Sequence, residues 1–225
     1  MTHRTRIKIC GLTRAEDLQA AIDAGADAIG LVFYPASPRY IAPEQAARLL
    51  AAVPPYVTTV GLFVNAEPQQ VAAVVAAAPV STLQFHGDET PEQCRRAAEA
   101  AKRRFMRALR VAPGAAAADL LKYEQDYRAA GDLFCGLLMD AWVDEFGGSG
   151  KVFDWSLIPE ELAPRAVLSG GLNAHNVTDA VRRVRPYAVD VSSGVEQAKG
   201  IKDAVKIREF IERVRAADAV VQNRP

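Results

Sequence analysis

Eight short apolar segments alternate with eight amphipathic, alanine-rich segments along this chain, and the alternation restricts the possible folds more than any other feature. The predicted strands are RIKIC, DAIGLVF, VTTVGLFV, STLQFHG, RFMRALRV, LFCGLLMD, RAVLSG and YAVDVSS. Helices are predicted over residues 14–24, 43–53, 68–77, 91–102, 117–129, 154–160, 174–184 and 202–216, the sixth being short and weak. Strands that alternate with helices predict a parallel sheet covered by helices.

Eight β-then-α units in 225 residues predict an α/β fold, a single-domain (β/α)8 (TIM) barrel, which has typically about 250 residues and can have as few as about 200. An open, doubly wound sheet shows the same alternation. The barrel is favoured because no G-x-G-x-x-G follows the first strand and because the late strands carry polar residues on one face. No linker interrupts the pattern, so residues 1–225 are predicted to form one domain, with a tail that frays from about Ala217.

Charge and hydropathy limit the classes of partner. Lys and Arg together number 27, as do Asp and Glu, so electrostatics give no reason to expect nucleic acid or an anionic membrane surface as a partner. No apolar run approaches the roughly 20 residues that span a bilayer. The basic N-terminus passes directly into a strand, without an apolar signal segment. We therefore expect a cytoplasmic protein.

Three widely spaced cysteines do not predict a disulfide framework. Cys94 and Cys135 lie in apolar patterns typical of small core residues, whereas Cys10 stands at the end of the first predicted strand. Strand alternation places Lys8 on the same face as Cys10. With three scattered histidines and no close Cys/His spacing, a metal site has little support.

Closure of a barrel brings strand eight beside strand one, so Asp190 is predicted to pair with Lys8 in the interior. The lysine charge would also favour a thiolate at Cys10, because a nearby cation lowers a thiol pKa from about 8.5. Active sites of such barrels lie at the carboxyl ends of the strands, where Cys10 and Asp140 are candidates for proton transfer. The alternative interpretation makes Cys10 a small buried hydrophobe and Asp140 a turn former.

Small, glycine-containing turns follow the last two predicted strands, LSGGLN after the seventh and DVSSGVE after the eighth. Phosphate-binding barrels hold their anion at this position, on backbone N–H groups and a short helix N-terminus. Either turn alone would be ordinary, but two in consecutive units favour a phosphate site. The candidate residues are Gly170, Gly171, Ser192, Ser193 and Gly194.

Eight motifs in order resemble those of the phosphoribosylanthranilate isomerase family of tryptophan biosynthesis. They are KICGLT, GADAIGLVFYPASPRYI, VGLFVN, LQFHGDE, LLMDA, FGGSGKVFDW, LSGGLNAHNV and VDVSSGVE, and they span residues 7–196. The resemblance implies the Amadori rearrangement of N-(5-phosphoribosyl)anthranilate to 1-(2-carboxyphenylamino)-1-deoxyribulose 5-phosphate, with no metal or coenzyme. It also implies that Asp140 is the general acid, that Cys10 is the general base, and that Arg39 holds the anthranilate carboxylate.

The segment FGGSGKVFDW carries four glycines or serines in a row, Gly147–Gly150, which predicts a loop that packs against the substrate and closes over it. The alternative is a loop that is merely flexible. His86 is expected to support the site or anchor its loop, and the protein is expected to be a monomer or a homodimer. Two alternatives remain open. One is another phosphate-binding barrel such as a phosphosugar epimerase, which usually needs His and Asp metal ligands at strand ends. The other is a non-catalytic scaffold, which would need none of Cys10, Asp140 and Arg39.

Overall fold

The computed structural model describes residues 4–112, 114–141 and 153–222. Eight parallel strands close into a barrel in chain order, which confirms the predicted fold. The strands are β1 (Arg6–Cys10), β2 (Ala28–Val32), β3 (Thr58–Phe63), β4 (Thr82–Phe85), β5 (Arg104–Val111), β6 (Phe134–Ala141), β7 (Val167–Leu168) and β8 (Ala188–Val191), followed by a hairpin of β9 (Glu196–Ala198) and β10 (Ile201–Lys202). The helices in the described ranges are α1 (Ala15–Asp23), α2 (Pro43–Leu50), α3 (Pro68–Ala77), α4 (Pro91–Ala101), α5 (Ala117–Ala129), α6 (Val177–Val184) and α7 (Ala204–Gln222).

Alternation along β1 separates the barrel interior from the layer beneath the helices. Ile7 and Ile9 belong to the large apolar cluster between strands and helices, whereas Lys8 and Cys10 point into the barrel. The interior is filled by two smaller apolar clusters: one is Ala108, Leu138, Val167 and Ala188, and the other is Cys10, Val32 and Leu62.

Helix starts follow local signals in some places and not in others. Thr90 caps α4 by accepting the backbone N–H of Gln93, and a proline follows at the first helical position. The predicted helix over 174–184 begins only at Val177, because a turn at Asn173 precedes it. The predicted helix over 154–160 is a single 3-10 turn at Trp155–Leu157.

The two apolar-pattern cysteines have different outcomes. Cys94 is fully buried in the core, as predicted. Cys135 is exposed, so its assignment to the core was wrong. The register between β5 and β6 shifts at Phe105 and Met106, and such a bulge re-aims the side chains beside it. The Cys135 thiol donates a hydrogen bond to the Phe105 carbonyl at 3.1 Å.

The C-terminal helix remains attached beyond the position where fraying was expected. Ala217 is fully buried, and the Asp218 carboxylate accepts hydrogen bonds from the backbone N–H and the hydroxyl of Thr5 at 2.9 and 2.7 Å. α7 therefore anchors the start of β1. Across the described ranges, no helix is long and apolar enough to cross a membrane.

Candidate active site

The predicted site residues gather at the carboxyl ends of the strands. Cys10 is the last residue of β1 and Asp140 is the penultimate residue of β6. One candidate phosphate turn directly follows β7, and the other follows β8 as a 3-10 turn, Ser193–Val195. Because parallel strands share one direction around the barrel, these groups all lie at the same mouth.

The buried ion pair between Lys8 and Asp190 is present as predicted. The two residues are register partners on β1 and β8, and Nζ of Lys8 lies 2.9 Å from Oδ1 of Asp190. Burial lowers the pKa of Lys8, but the interactions with Asp190 and Cys10 together outweigh burial and raise that pKa to about 12. Lys8 is therefore a permanent cation inside the barrel.

Cys10 is 5% exposed and packs with Val32 and Leu62 inside the barrel, on the same strand face as Lys8. Gly30 on β2 leaves the space that the thiol occupies, since a Cβ at this glycine would lie 2.7 Å from Sγ of Cys10. Burial raises the pKa of Cys10, and the opposing effect of Lys8 does not cancel it. Lys8 acts on the thiol in the expected direction and lowers its pKa, but burial is the larger effect in the protein alone.

A directed chain of hydrogen bonds connects Lys8 with Asp140 across the barrel. Nζ of Lys8 donates to Oε1 of Gln84 at 3.0 Å, and Nε2 of Gln84 lies 3.3 Å from Nδ1 of His86. Nε2 of His86 in turn lies 3.0 Å from Oδ2 of Asp140. The other oxygen of Asp140 accepts the backbone N–H of Ala141 at 2.9 Å. Both carboxylate oxygens are therefore oriented by the protein.

The loop that carries His86 is fastened by Arg107, which lies on β5. Its guanidinium donates to the carbonyl oxygens of Phe85 and Gly87, each at 2.8 Å, and to the Tyr127 hydroxyl at 3.0 Å. A carboxylate oxygen of Glu89 accepts a further bond from it at 3.2 Å. These contacts fix the segment on both sides of His86.

The two candidate phosphate turns pack directly against each other and against Asp140. Gly170 and Gly171 have positive φ values of 83° and 66°, which glycine adopts without steric cost. A Cβ at Gly170 would lie 2.4 Å from the backbone nitrogen of Ala141, and one at Gly194 would lie 1.9 Å from the Leu172 carbonyl oxygen. Only glycine fits these two positions, so each turn packs backbone to backbone against its neighbour.

The backbone N–H groups of these turns are available to a ligand. Among the described residues, no hydrogen-bond acceptor is found for the N–H groups of Gly170, Gly171, Ser193 and Gly194. An anion between the turns would satisfy several donors at once.

Arg39 is almost buried, with 8% exposure, and it has a protein partner that the sequence analysis missed. Its Nε and Nη2 donate to the two carboxylate oxygens of Glu196 at 2.7 and 2.8 Å. Lys202 donates to the same carboxylate at 2.9 Å.

Glu196, Lys202 and Gln84 were not predicted as site residues. The predicted closing loop, Gly147–Gly150, lies outside the described residues.

A closed eight-stranded barrel with titratable side chains at the carboxyl ends of its strands defines the class of (β/α)8-barrel enzymes. Comparison with family models makes the assignment specific. The model of N-(5'-phosphoribosyl)anthranilate isomerase matches residues 7–213, so the chain belongs to this family. It is an isomerase of tryptophan biosynthesis, and this assignment replaces both the epimerase and the scaffold alternatives.

Individual relatives agree with the family model over nearly the whole chain. The N-(5'-phosphoribosyl)anthranilate isomerase of Herminiimonas arsenicoxydans is 66% identical and aligns with 100% of this chain and 99% of its own. A solved isomerase in complex with reduced 1-(o-carboxyphenylamino)-1-deoxyribulose 5-phosphate is 41% identical, with a TM-score of 0.80 over 94% of this chain and 99% of its own. Monomers generated from the dimeric Thermotoga maritima isomerase are 40% identical, with a TM-score of 0.80 over the same shares.

Proposed function

We propose that Asp140 and Cys10 carry the two proton transfers of the family reaction. Asp140, as the acid, protonates the furanose ring oxygen, and the ring opens to an iminium ion. Cys10, as the base, then removes the proton from C2′, which gives an enolamine that tautomerises to the ketone. The observation that carries this proposal is the position of both groups at one mouth, at the ends of β1 and β6. Each transfer of this kind contributes typically about 10²–10⁴-fold.

The bound intermediate supplies what the buried thiol lacks. Burial raises the pKa of Cys10, and a second positive charge close to the thiol opposes this effect. Ring opening creates an iminium cation at the mouth, and its charge adds to that of Lys8 in favouring the thiolate. The base is then generated at the step that needs it. The same iminium accepts the electrons of the C2′–H bond, so the reaction requires no metal or coenzyme.

His86 acts as a supporting residue. Its ring nitrogen lies 3.0 Å from Asp140 and 3.3 Å from Gln84, so it holds the acid in position instead of reacting with the substrate. Lys8 and Asp190 likewise support Cys10.

The two anionic ends of the substrate bind at separate places. The phosphate accepts hydrogen bonds from the N–H groups of Gly170, Gly171, Ser192, Ser193 and Gly194, four of which have no acceptor among the described residues. Arg39 binds the anthranilate carboxylate. The guanidinium suits this task because its N–H groups form two parallel hydrogen bonds with a planar carboxylate.

The remaining properties are proposed from the sequence and from the single barrel. Residues 1–225 act as one cytoplasmic domain without nucleic-acid or membrane partners. A monomer or a homodimer serves equally, because Cys10, Asp140 and Arg39 come from a single barrel. The Thermotoga maritima isomerase, which is described both as a dimer and as generated monomers, supports this view.

The test is a fluorescence assay of purified, chelator-treated protein with phosphoribosylanthranilate. We expect full activity after chelation. Cys10→Ala and Asp140→Asn should each lower kcat by orders of magnitude. Both variants should keep their affinity for the reduced product analogue, reduced 1-(o-carboxyphenylamino)-1-deoxyribulose 5-phosphate. Cys135→Ser is the matched control, because it removes an exposed thiol far from the mouth. Near-full kcat in Cys10→Ala would reject its role as base.

A further inference from the structure

Two edges of the Arg39 guanidinium can face a carboxylate, and one of them is occupied within the protein. The side edge, Nε with Nη2, is bound to both oxygens of Glu196 at 2.7 and 2.8 Å. A guanidinium has five N–H donors, so two remain on Nη1 and one on Nη2. Among the described residues, none accepts a hydrogen bond from Nη1.

The backbone beneath Arg39 also restricts where its side chain can lie. A Cβ at Gly11 would be 2.6 Å from Cδ of Arg39 and 3.2 Å from Oγ of Ser192. Gly11 has a φ of 77°, in the region that favours glycine. The arginine therefore lies across the residue that follows Cys10, beside the turn that follows β8.

Lys202 connects Glu196 with this turn. Its side chain is fully buried, and Nζ has three partners: Glu196 Oε1 at 2.9 Å, and the carbonyl and hydroxyl oxygens of Ser192, each at 3.2 Å. The Ser192 hydroxyl donates in turn to the carbonyl of Cys10 at 3.0 Å. Burial acts to raise the pKa of Glu196, but hydrogen bonds from Arg39 and the charge of Lys202 hold it below its ordinary value.

We propose that Glu196 is a positioning residue for substrate recognition. It fixes the side edge of Arg39 so that the end edge, Nη1 with Nη2, is preorganised for the substrate's aromatic carboxylate. Lys202 then ties this arginine to the phosphate turn at Ser192 and so sets the spacing between the two anion sites. Preorganisation increases affinity because the side-chain entropy is lost before the ligand binds. This inference rests on the proposed role of Arg39.

A pair of inhibitors that differ only in the carboxylate isolates this effect. The probes are reduced 1-(o-carboxyphenylamino)-1-deoxyribulose 5-phosphate and the same compound without the carboxyl group, and the measurement is the ratio of their inhibition constants. In the wild type the carboxylate should improve binding by about tenfold or more, as expected for charge-assisted hydrogen bonds. Glu196→Gln should reduce this ratio to within about threefold of unity, because Arg39 loses its charged partner.

Two further variants separate the possible failures. In Arg39→Ala the two inhibitors should bind equally well, so that the ratio of their inhibition constants becomes unity. A ratio that stays at the wild-type value in this variant would overturn the proposed role of Arg39 itself. If the ratio becomes unity in Arg39→Ala but stays at the wild-type value in Glu196→Gln, the positioning role of Glu196 is wrong. Glu124→Gln is the matched control, because Glu124 is a buried carboxylate paired with Arg128 and Arg165 on outer elements. It should leave the ratio unchanged.

Glu196→Asp covers the case in which Glu196→Gln does not fold. The aspartate keeps the charge but is shorter by one methylene, so it cannot hold Arg39 and Lys202 together with the present geometry. We expect a reduced carboxylate ratio with less loss of stability. A wild-type ratio in this folded variant would also overturn the inference.

Discussion

Nε2 of His86 lies 3.0 Å from Oδ2 of Asp140, and the direction of this hydrogen bond is fixed by a residue on another strand. Lys8 has only donors, so the Gln84 oxygen must face it and the Gln84 NH₂ group must face His86. Nδ1 of His86 is therefore the acceptor, and Nε2 carries the proton that Asp140 accepts. A cation beside the base thus determines how the acid is held.

The first prediction concerns this histidine tautomer. The ¹⁵N chemical shifts of His86 should show a protonated Nε2 and an unprotonated Nδ1. Gln84→Glu offers only acceptors to Lys8 and His86, so the proton should move to Nδ1, and kcat should fall about tenfold or more as Asp140 loses its donor. His175 is exposed, and its signals should not change. A wild-type His86 protonated at Nδ1 would contradict the chain of donors.

The second prediction concerns the space for the thiol. In Gly30→Ala the new methyl group would lie 2.7 Å from Sγ of Cys10 and 3.1 Å from Cε of Lys8. We expect kcat to fall by more than about tenfold, because even a 1 Å misplacement of a reacting group can cost about 100-fold. Gly25→Ala is the control: its Cβ meets no atom within 4 Å, although its φ is 88°. That variant should lose stability and keep its kcat, and equal kcat values in the two variants would refute the steric argument.

The sequence predicts those parts of the site that depend on strand order and alternation. The Lys8–Asp190 pair follows from the closure of β1 on β8, and the mouth positions of Cys10 and Asp140 follow from the ends of β1 and β6. Gln84 could also have been found, because it shares a strand face with His86 two residues later. Its role was missed because an amide gives no signal until its neighbours are known.

Other features depend on contacts that no local pattern encodes. Glu196 and Lys202 lie on the β9–β10 hairpin after the last barrel strand, where the eightfold alternation gives no guidance. Cys135 was misassigned because the bulge at Phe105 is a property of the β5–β6 pairing, not of either strand alone. The net pKa shift of Cys10 could not be predicted, because burial must be weighed against the charge of Lys8, and the extent of burial is known only from the fold.

The third prediction concerns the stability of the interior pair. Lys8→Met and Asp190→Asn should each reduce the free energy of unfolding by about 3–5 kcal/mol, because each leaves a buried partner without compensation. Urea unfolding followed by circular dichroism measures this change. Lys122→Met is the comparison, since the Lys122–Asp126 pair is exposed and should contribute less than about 1 kcal/mol. Interior variants as stable as the Lys122 variant would show that the barrel relaxes around the lost charge.

The last prediction concerns the titration of Cys10. Burial raises the pKa of this thiol, so the thiolate fraction is small near neutral pH and increases as the pH rises through the elevated value. In a Cys135→Ser background, alkylation of Cys10 by iodoacetamide should therefore continue to accelerate above the pH at which N-acetylcysteine reaches its limiting rate. Lys8→Met should move the midpoint of this pH dependence to a still higher pH, because the lysine charge opposes the effect of burial.

Cys94 provides no interfering signal, since it is fully buried and burial raises its pKa to about 12. Peptide mapping identifies the modified residue, and saturation with the reduced product analogue should block the reaction. If Cys10 titrates like the free thiol, burial does not raise its pKa. The base would then need no help from the iminium charge.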